Sequence, residues 1–257
     1  MLELSRLLGE YREDIVVVGG WVPQLILPPG ATQHLGSIDV DLALNHRNLR
    51  AAGYASIQAL LSRRGYEQDP RQPFIYHRTV VVNGNAIKVE VDFLAGEYAG
   101  TGRSHRTQAV HEGRARKARG CDLAFDLYVE ADIEGELPEG GRDQARIRVS
   151  SAAAFLVMKG MALHDRLKEK DAWDIYFTLT HYPGGLDALV GEIRPHAGHR
   201  LVQEGLRKIA DKFGSPDHMG PKFVADFEDI HDPEERATLM RDAYERVSYL
   251  LNALGVR

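Results

Sequence analysis

The spacing of hydrophobic positions changes about halfway along this 257-residue chain. Before about residue 150 they fall mostly in short runs and alternations, the period of strands. Beyond it they recur every three or four residues, as on helices. Leu2, Leu4, Leu7 and Leu8 predict a short amphipathic helix over residues 2–12. Asp14 to Val18 reads as a buried strand ending in Gly19-Gly20. Trp21 to Leu27 then makes one or two helical turns, stopped by Pro28-Pro29-Gly30. Ile38 to Leu44 reads as a strand, and Asn48 to Arg64 as a helix that Asn48 caps and Gly65 ends. Phe74 to Val82 and Ala86 to Leu94 flank Asn83-Gly84, a hairpin signal. In the second of these strands Ile87, Val89, Val91 and Phe93 alternate with Lys88, Glu90, Asp92 and Leu94, which sets Asp92 on the polar face.

Residues 95–120 break the pattern with five glycines and the cations Arg103, Arg106, Arg114, Arg116, Lys117 and Arg119, and read as an exposed basic loop. Leu123 to Val129 and Ile147 to Val149 read as further strands around an acidic, glycine-rich loop, Asp132 to Gly141. Helices are expected over Ser151–His164, Asp171–Thr180, Leu186–Ile193, Arg200–Phe213 and Glu234–Leu254. The fold class is α+β: a small mixed sheet in residues 1–149, then a helical subdomain in 150–257.

Composition narrows the function classes. The net charge of −5 gives no whole-molecule field for a polyanion, so any nucleic-acid site must be a local patch. One cysteine, Cys121, excludes an internal disulfide and a cysteine zinc site. No apolar run approaches the roughly 18 residues of a membrane span, and the N-terminus has no signal-peptide core. A cytoplasmic protein is expected.

The candidate chemistry lies in the strands. Asp39 and Asp41 are two residues apart, so on a strand they share a face, roughly 6.5–7 Å apart. If the strand carrying Asp92 pairs beside them, three carboxylates converge. Such a set suits one or two Mg²⁺ ions and phosphoryl or nucleotidyl transfer. Glu90 shares the Asp92 face and is the reserve candidate. Gly19-Gly20 at a strand-to-helix turn lets backbone N–H groups approach a triphosphate. Lys159 follows Phe155, Leu156 and Val157 on an apolar helix, and an unbroken helix would bring Arg166 and Lys170 onto its face. The scattered histidines show no zinc spacing.

These residues resemble the nucleotidyltransferases of the DNA polymerase β superfamily, and within it the AbiEii/MenT-type toxins. The resemblance spans about residues 14–180. It rests on Gly19-Gly20, Asp39-Val40-Asp41, Asp92, and Lys159 followed by Lys170-Asp171-Ala172-Trp173-Asp174. It implies that Asp39, Asp41 and Asp92 hold Mg²⁺, or Mn²⁺ in its place. It also implies that Gly19, Gly20, Ser37, Lys159 and Arg166 serve the phosphates of an NTP, with Asp171 ordering the lysine. The implied acceptor is an RNA such as tRNA, gripped through residues 103–119, and the implied partner is a cognate antitoxin. Trp21 departs from the serine or threonine common after the glycines. Gly-Gly-Trp also resembles aminoglycoside and lincosamide nucleotidyltransferases, so an antibiotic-modifying enzyme is the alternative. A non-catalytic nucleotide-binding relic is a further one.

Overall fold

The computed structural model describes residues 1–28, 33–46, 48–49, 51–82, 84–96, 107–110 and 113–256. The chain forms two compact units. One comprises Met1–Leu25 with Gly36–Ser151, and the other Ile26–Leu35 with Ala152–Arg257. The architecture is α+β, as the change of period predicts.

The first unit is built on one sheet. In chain order it holds α1 (Leu2–Leu7), β1 (Ile15–Val18), α2 (Val22–Ile26, its last residue in the second unit), β2 (Asp39–Leu44) and α3 (Ala51–Arg63). There follow β3 (Glu67–Gln68), β4 (Ile75–Val82), β5 (Asn85–Ala95), β6 (Thr107–Val110), β7 (Gly113–Lys117), α4 (Leu123–Asp126), β8 (Tyr128–Glu136) and β9 (Arg142–Ser150). Among the described residues nine strands join in the order β3-β4-β5-β2-β1-β9-β8, with β7 beside β5 and β6 beside β7. The β-branched run Ile15-Val16-Val17-Val18 suits the sheet interior, and Val16 to Val18 are buried there. β4 and β5 pair from Val82–Asn85 inward, and the turn between them has Gly84 at φ +78°, which glycine adopts without strain.

Several sequence expectations are revised in this unit. The N-terminal helix ends at Leu7, and Gly9–Asp14 continues as a 3₁₀ helix. Part of the basic loop is a hairpin, β6–β7, whose second strand lies parallel to the end of β5. Arginine and lysine do not prevent a strand when their heads reach solvent or an acid. The acidic stretch Glu130–Glu136 is also a strand, not a loop. It pairs with β9 so that Asp132 meets Arg146 and Glu136 meets Arg142, and opposite charges across the ladder offset the poor strand propensity of the acids. Leu123–Asp126 is a helical turn where a strand was expected.

The second unit is helical: α5 (Ala152–Arg166), α6 (Glu169–His181), α7 (Gly185–Ile193), α8 (Arg200–Ala210), α9 (Met219–Phe227) and α10 (Pro233–Ala253). Helix α10 starts by rule. Asp232 accepts from the backbone N–H groups of Glu234 and Glu235 at 3.0 and 2.9 Å, and Pro233 takes a first-turn position. Helix α9 was not foreseen. The helix from Ser151 does not run on to Lys170: it breaks at Leu167, which sits at φ +51°. That break reverses the chain and sets α6 against α5.

Candidate active site

Strand β2 supplies the first carboxylates. Its burial alternates at the start, with Val40 and Leu42 buried on one face and Asp39 and Asp41 half-buried on the other. Strand β5 runs parallel beside it, in a register that sets Asp39 against Glu90 and Asp41 against Asp92. Aligned residues of a parallel pair share a face about 4.8 Å apart, so four carboxylates form a two-by-two array. The backbone thus brings together the three acids that the sequence singled out, with Glu90 as a fourth.

The glycine turn closes on this array. Val18, the last residue of β1, lies opposite Asp41. Gly19 follows at φ +73°, and a Cβ there would fall inside the Asp41 carboxylate. A Cβ at Gly20 would lie 2.9 Å from Ser37 Cβ. Both glycines are therefore required by close approach, and the turn seats its backbone directly on Asp41 and Ser37. Trp21, the next residue, has a buried indole N–H with no acceptor among the described residues.

Asp92 is the most perturbed member. It is 2% exposed. Arg116 on β7 reaches it, with a guanidinium nitrogen 2.8 Å from Oδ2, while Oδ1 is buried without a hydrogen-bond partner among the described residues. Burial raises the Asp92 pKa to about 8. Arg116 opposes that shift, and Asp41, Glu90 and Asp39 add to it. A thiol and a further carboxylate belong near this array. Cys121 is fully buried, and its thiol pKa is raised by burial first and then by Asp122, Asp41 and Asp92. Asp122 packs where a Cβ on Gly96 would go and lies 3.6 Å from His46. Sequence reading missed Asp122 and placed Arg116 only in the basic run, since neither lies in a recognisable spacing from the strand acids. The only signal for Arg116 was the density of cations around it.

The donors are hard oxygen ligands, the kind Mg²⁺ and Mn²⁺ take, and the orphaned Oδ1 of Asp92 is the atom such an ion would satisfy. Among the described residues no group of three or more His, Cys, Asp or Glu side chains is gathered closely enough to hold a metal ion.

The remaining candidates lie in the helical unit as a buried ion cluster. Lys159 on α5 is 7% exposed. Its Nζ donates to Asp171 Oδ1 at 2.9 Å and lies 2.5 Å from Asp174 Oδ2. Arg166 forks onto Asp171 at 2.6 and 2.7 Å, and Lys170 donates to Asp174 at 2.9 Å. His34 Nε2 donates to Asp174 Oδ1 at 2.9 Å, its ring packed on Trp173 and Phe177. Burial works against the charge on Lys159, but Asp174 and Asp171 outweigh it and its pKa is raised. Burial likewise works against the carboxylates. Arg166 and Lys159 hold Asp171 below its ordinary pKa, and Lys159, His34 and Lys170 do so for Asp174. The break after Arg166 thus achieves what an unbroken helix was expected to do, joining Lys159, Arg166 and Lys170 through shared acids. His34 was not foreseen, because nothing local marks it.

A cavity of about 200 Å³ opens elsewhere in the sheet unit, beside Leu4, Leu8, Val40 and Leu42. Val40 and Leu42 alternate with Asp39 and Asp41, so it lies on the opposite sheet face. Its walls are apolar, and Arg6, Arg146 and Arg148 around it pair with Asp143, Asp132 and Glu13. No carboxylate or imidazole is among its lining residues, and the Ser5 hydroxyl there donates to the Leu2 carbonyl at 2.8 Å, so the carboxylate face is the stronger candidate for chemistry.

Compared with known proteins, the chain matches one family model, described as "Nucleotidyl transferase AbiEii toxin, Type IV TA system", over residues 36–246. No curated protein and no solved structure matches it.

Proposed function

As a chain that belongs to the AbiEii nucleotidyl transferase family, it moves, we propose, a nucleoside monophosphate from an NTP to a hydroxyl of an RNA acceptor, releasing pyrophosphate. The family implies a toxin with a cognate antitoxin. We place it in the cytoplasm, and among the described residues no helix is long and apolar enough to cross a membrane.

One observation carries the reading: the β2–β5 register that sets Asp41 beside Asp92, with the glycine turn seated on Asp41. Asp39, Asp41 and Asp92 would hold Mg²⁺ or Mn²⁺, which when bound neutralises the triphosphate and lowers the pKa of the acceptor hydroxyl. Backbone N–H groups of Gly19 and Gly20, with the Ser37 hydroxyl, orient the phosphates. Asp92, on the same face as the other two acids, would help take the acceptor proton. Lys159 and Arg166 serve the phosphates in this proposal, and Asp171 holds both cations in place. In-line attack on the α-phosphorus then forms one P–O bond and breaks another.

The test is incubation with each α-labelled NTP, Mg²⁺ or Mn²⁺, and total RNA. Label is expected in RNA. Asp39→Asn, Asp41→Asn and Asp92→Asn should each lose at least about a hundredfold in transfer while remaining folded. Full activity in all three variants would remove the site assignment. Label on an aminoglycoside or lincosamide instead of RNA would move the protein to the antibiotic-modifying alternative.

A further inference from the structure

We infer that Arg116 is a positioning residue for the metal site: it holds the Asp92 carboxylate by Oδ2 so that Oδ1 is presented to a divalent cation. The inference rests on the reading of Asp39, Asp41 and Asp92 as the cation's ligands.

The sheet puts Arg116 there. β7 lies parallel to β5, with Arg116 opposite Leu94. Aligned residues of a parallel pair share a face, and Asp92, two residues before Leu94, shares it too. Arg116 therefore extends over the same face as the carboxylate array, one step further along. β4 has already left that edge of β5, since its pairing ends at Ile75–Asp92. The β6–β7 hairpin fills the vacated edge and delivers a cation.

The contacts fix the carboxylate's orientation. Arg116 meets Oδ2 at 2.8 Å, and its guanidinium lies over the Phe74 ring, 5.1 Å from the centroid. A planar guanidinium held on two sides, by a ring face and a carboxylate, has little freedom to turn. Its side chain is about a third exposed, whereas Asp92 is almost wholly enclosed. The carboxylate therefore has one oxygen anchored and the other buried with no partner among the described residues. Leaving an acceptor unsatisfied in a buried site is unfavourable unless something else occupies it. Carboxylate ligands are in general oriented by an outer hydrogen bond of this kind, and losing that bond weakens metal affinity. A purely structural Arg116 would be expected to take both oxygens, as Arg166 does on Asp171.

The experiment is direct binding of Mn²⁺ to chelator-stripped full-length protein, with free Mn²⁺ read by electron paramagnetic resonance. Arg116→Gln should bind Mn²⁺ about 10–100-fold more weakly than wild type. Arg116→Lys keeps the charge without the rigid fork and should lose about threefold to tenfold. Arg146→Gln, a surface control paired with Asp132, should bind like wild type. In an Asp92→Asn background Arg116→Gln should add no further loss. Wild-type affinity in Arg116→Gln would make the arginine a structural prop and overturn the inference. Tighter binding would do so too, making Arg116 a competitor of the cation. If Arg116→Gln does not fold by circular dichroism, Arg116→Lys decides by the same criteria. Undiminished Mn²⁺ binding by Asp92→Asn would instead show that the metal reading itself fails.

Discussion

Asp174 has no exposed surface, and three nitrogen groups converge on it, those of Lys159, Lys170 and His34. Removing one partner of a buried ion pair leaves the others uncompensated, which typically costs about 3–5 kcal/mol. Asp174→Asn is expected to lose stability of that order at pH 7. Its pKa lies below the ordinary 3.8, because the attraction of the cations outweighs burial. Around that pH the unfolded chain therefore binds more protons than the folded one, so stability rises with pH there. The contribution is complete above about pH 4 and is lost as pH falls through the depressed value. Urea unfolding of wild type and Asp174→Asn between pH 7 and pH 2 should show a gap that closes only in acid, and a gap independent of pH would refute the assignment. For the same reason Lys159→Met is an ambiguous probe of nucleotide binding, since it strands two buried acids. At this scale the sequence was most legible where chemistry imposes a spacing. Asp39, Asp41 and Asp92 could be named because acids are unusual within apolar strand patterns. His34 and Arg116 could not, because each gains its meaning from a partner distant in sequence.

Between elements, a tight fit occurs at the crossing of α5 and α8. A Cβ on Gly205 would stand 2.8 Å from the Val157 Cα, and one on Gly160 would stand 2.8 Å from Ile209 Cγ1. Backbone meets backbone there, so an added methyl has nowhere to go. Gly205→Ala should push the helices apart and destabilise the helical unit by about 1–3 kcal/mol, against the small gain alanine brings to an isolated helix. Lys159 adjoins Gly160 on α5, so the strain falls beside the ion cluster. Thermal unfolding checks this, and an unchanged or raised midpoint would mean that the crossing is looser than described. The helices and the β4–β5 hairpin were legible because amphipathic spacing and an Asn-Gly turn act locally. The strand character of Glu130–Glu136 was overlooked: Ala131, Ile133 and Gly135 do alternate with the acids, but the acids and the glycine read as a loop, and the cross-strand arginines that offset them lie distant in sequence. The parallel placement of β7 was not legible, because it is set by the edge that β4 leaves open.

For the molecule as a whole, the net charge of −5 means that the far field does not draw in a polyanion. An RNA acceptor must be gripped locally, and the basic segment 103–119 is the candidate. Residues 103–106, 111 and 112 of it lie outside the described residues, and Arg116 is engaged with Asp92 rather than offered to a phosphate. That rules Arg116 out as a clean probe, because reversing it would set another acid beside Asp92. Lys117 and Arg119 can be reversed without touching that pair. Lys117 follows Arg116 on β7 and so takes the opposite face from the carboxylates, and Arg119 lies beyond the strand. Lys117→Glu with Arg119→Glu should weaken RNA binding and flatten its dependence on salt, by roughly 0.7 in the log–log slope for each single-strand phosphate no longer neutralised. Mn²⁺ affinity should stay at the wild-type value, because the Asp92–Arg116 pair is untouched. Filter binding across a salt series, with Mn²⁺ binding measured on the same preparations, separates the two effects. Equal RNA affinity and equal slope in wild type and variant would exclude these two cations from the acceptor's grip and send the search for it elsewhere on the molecule.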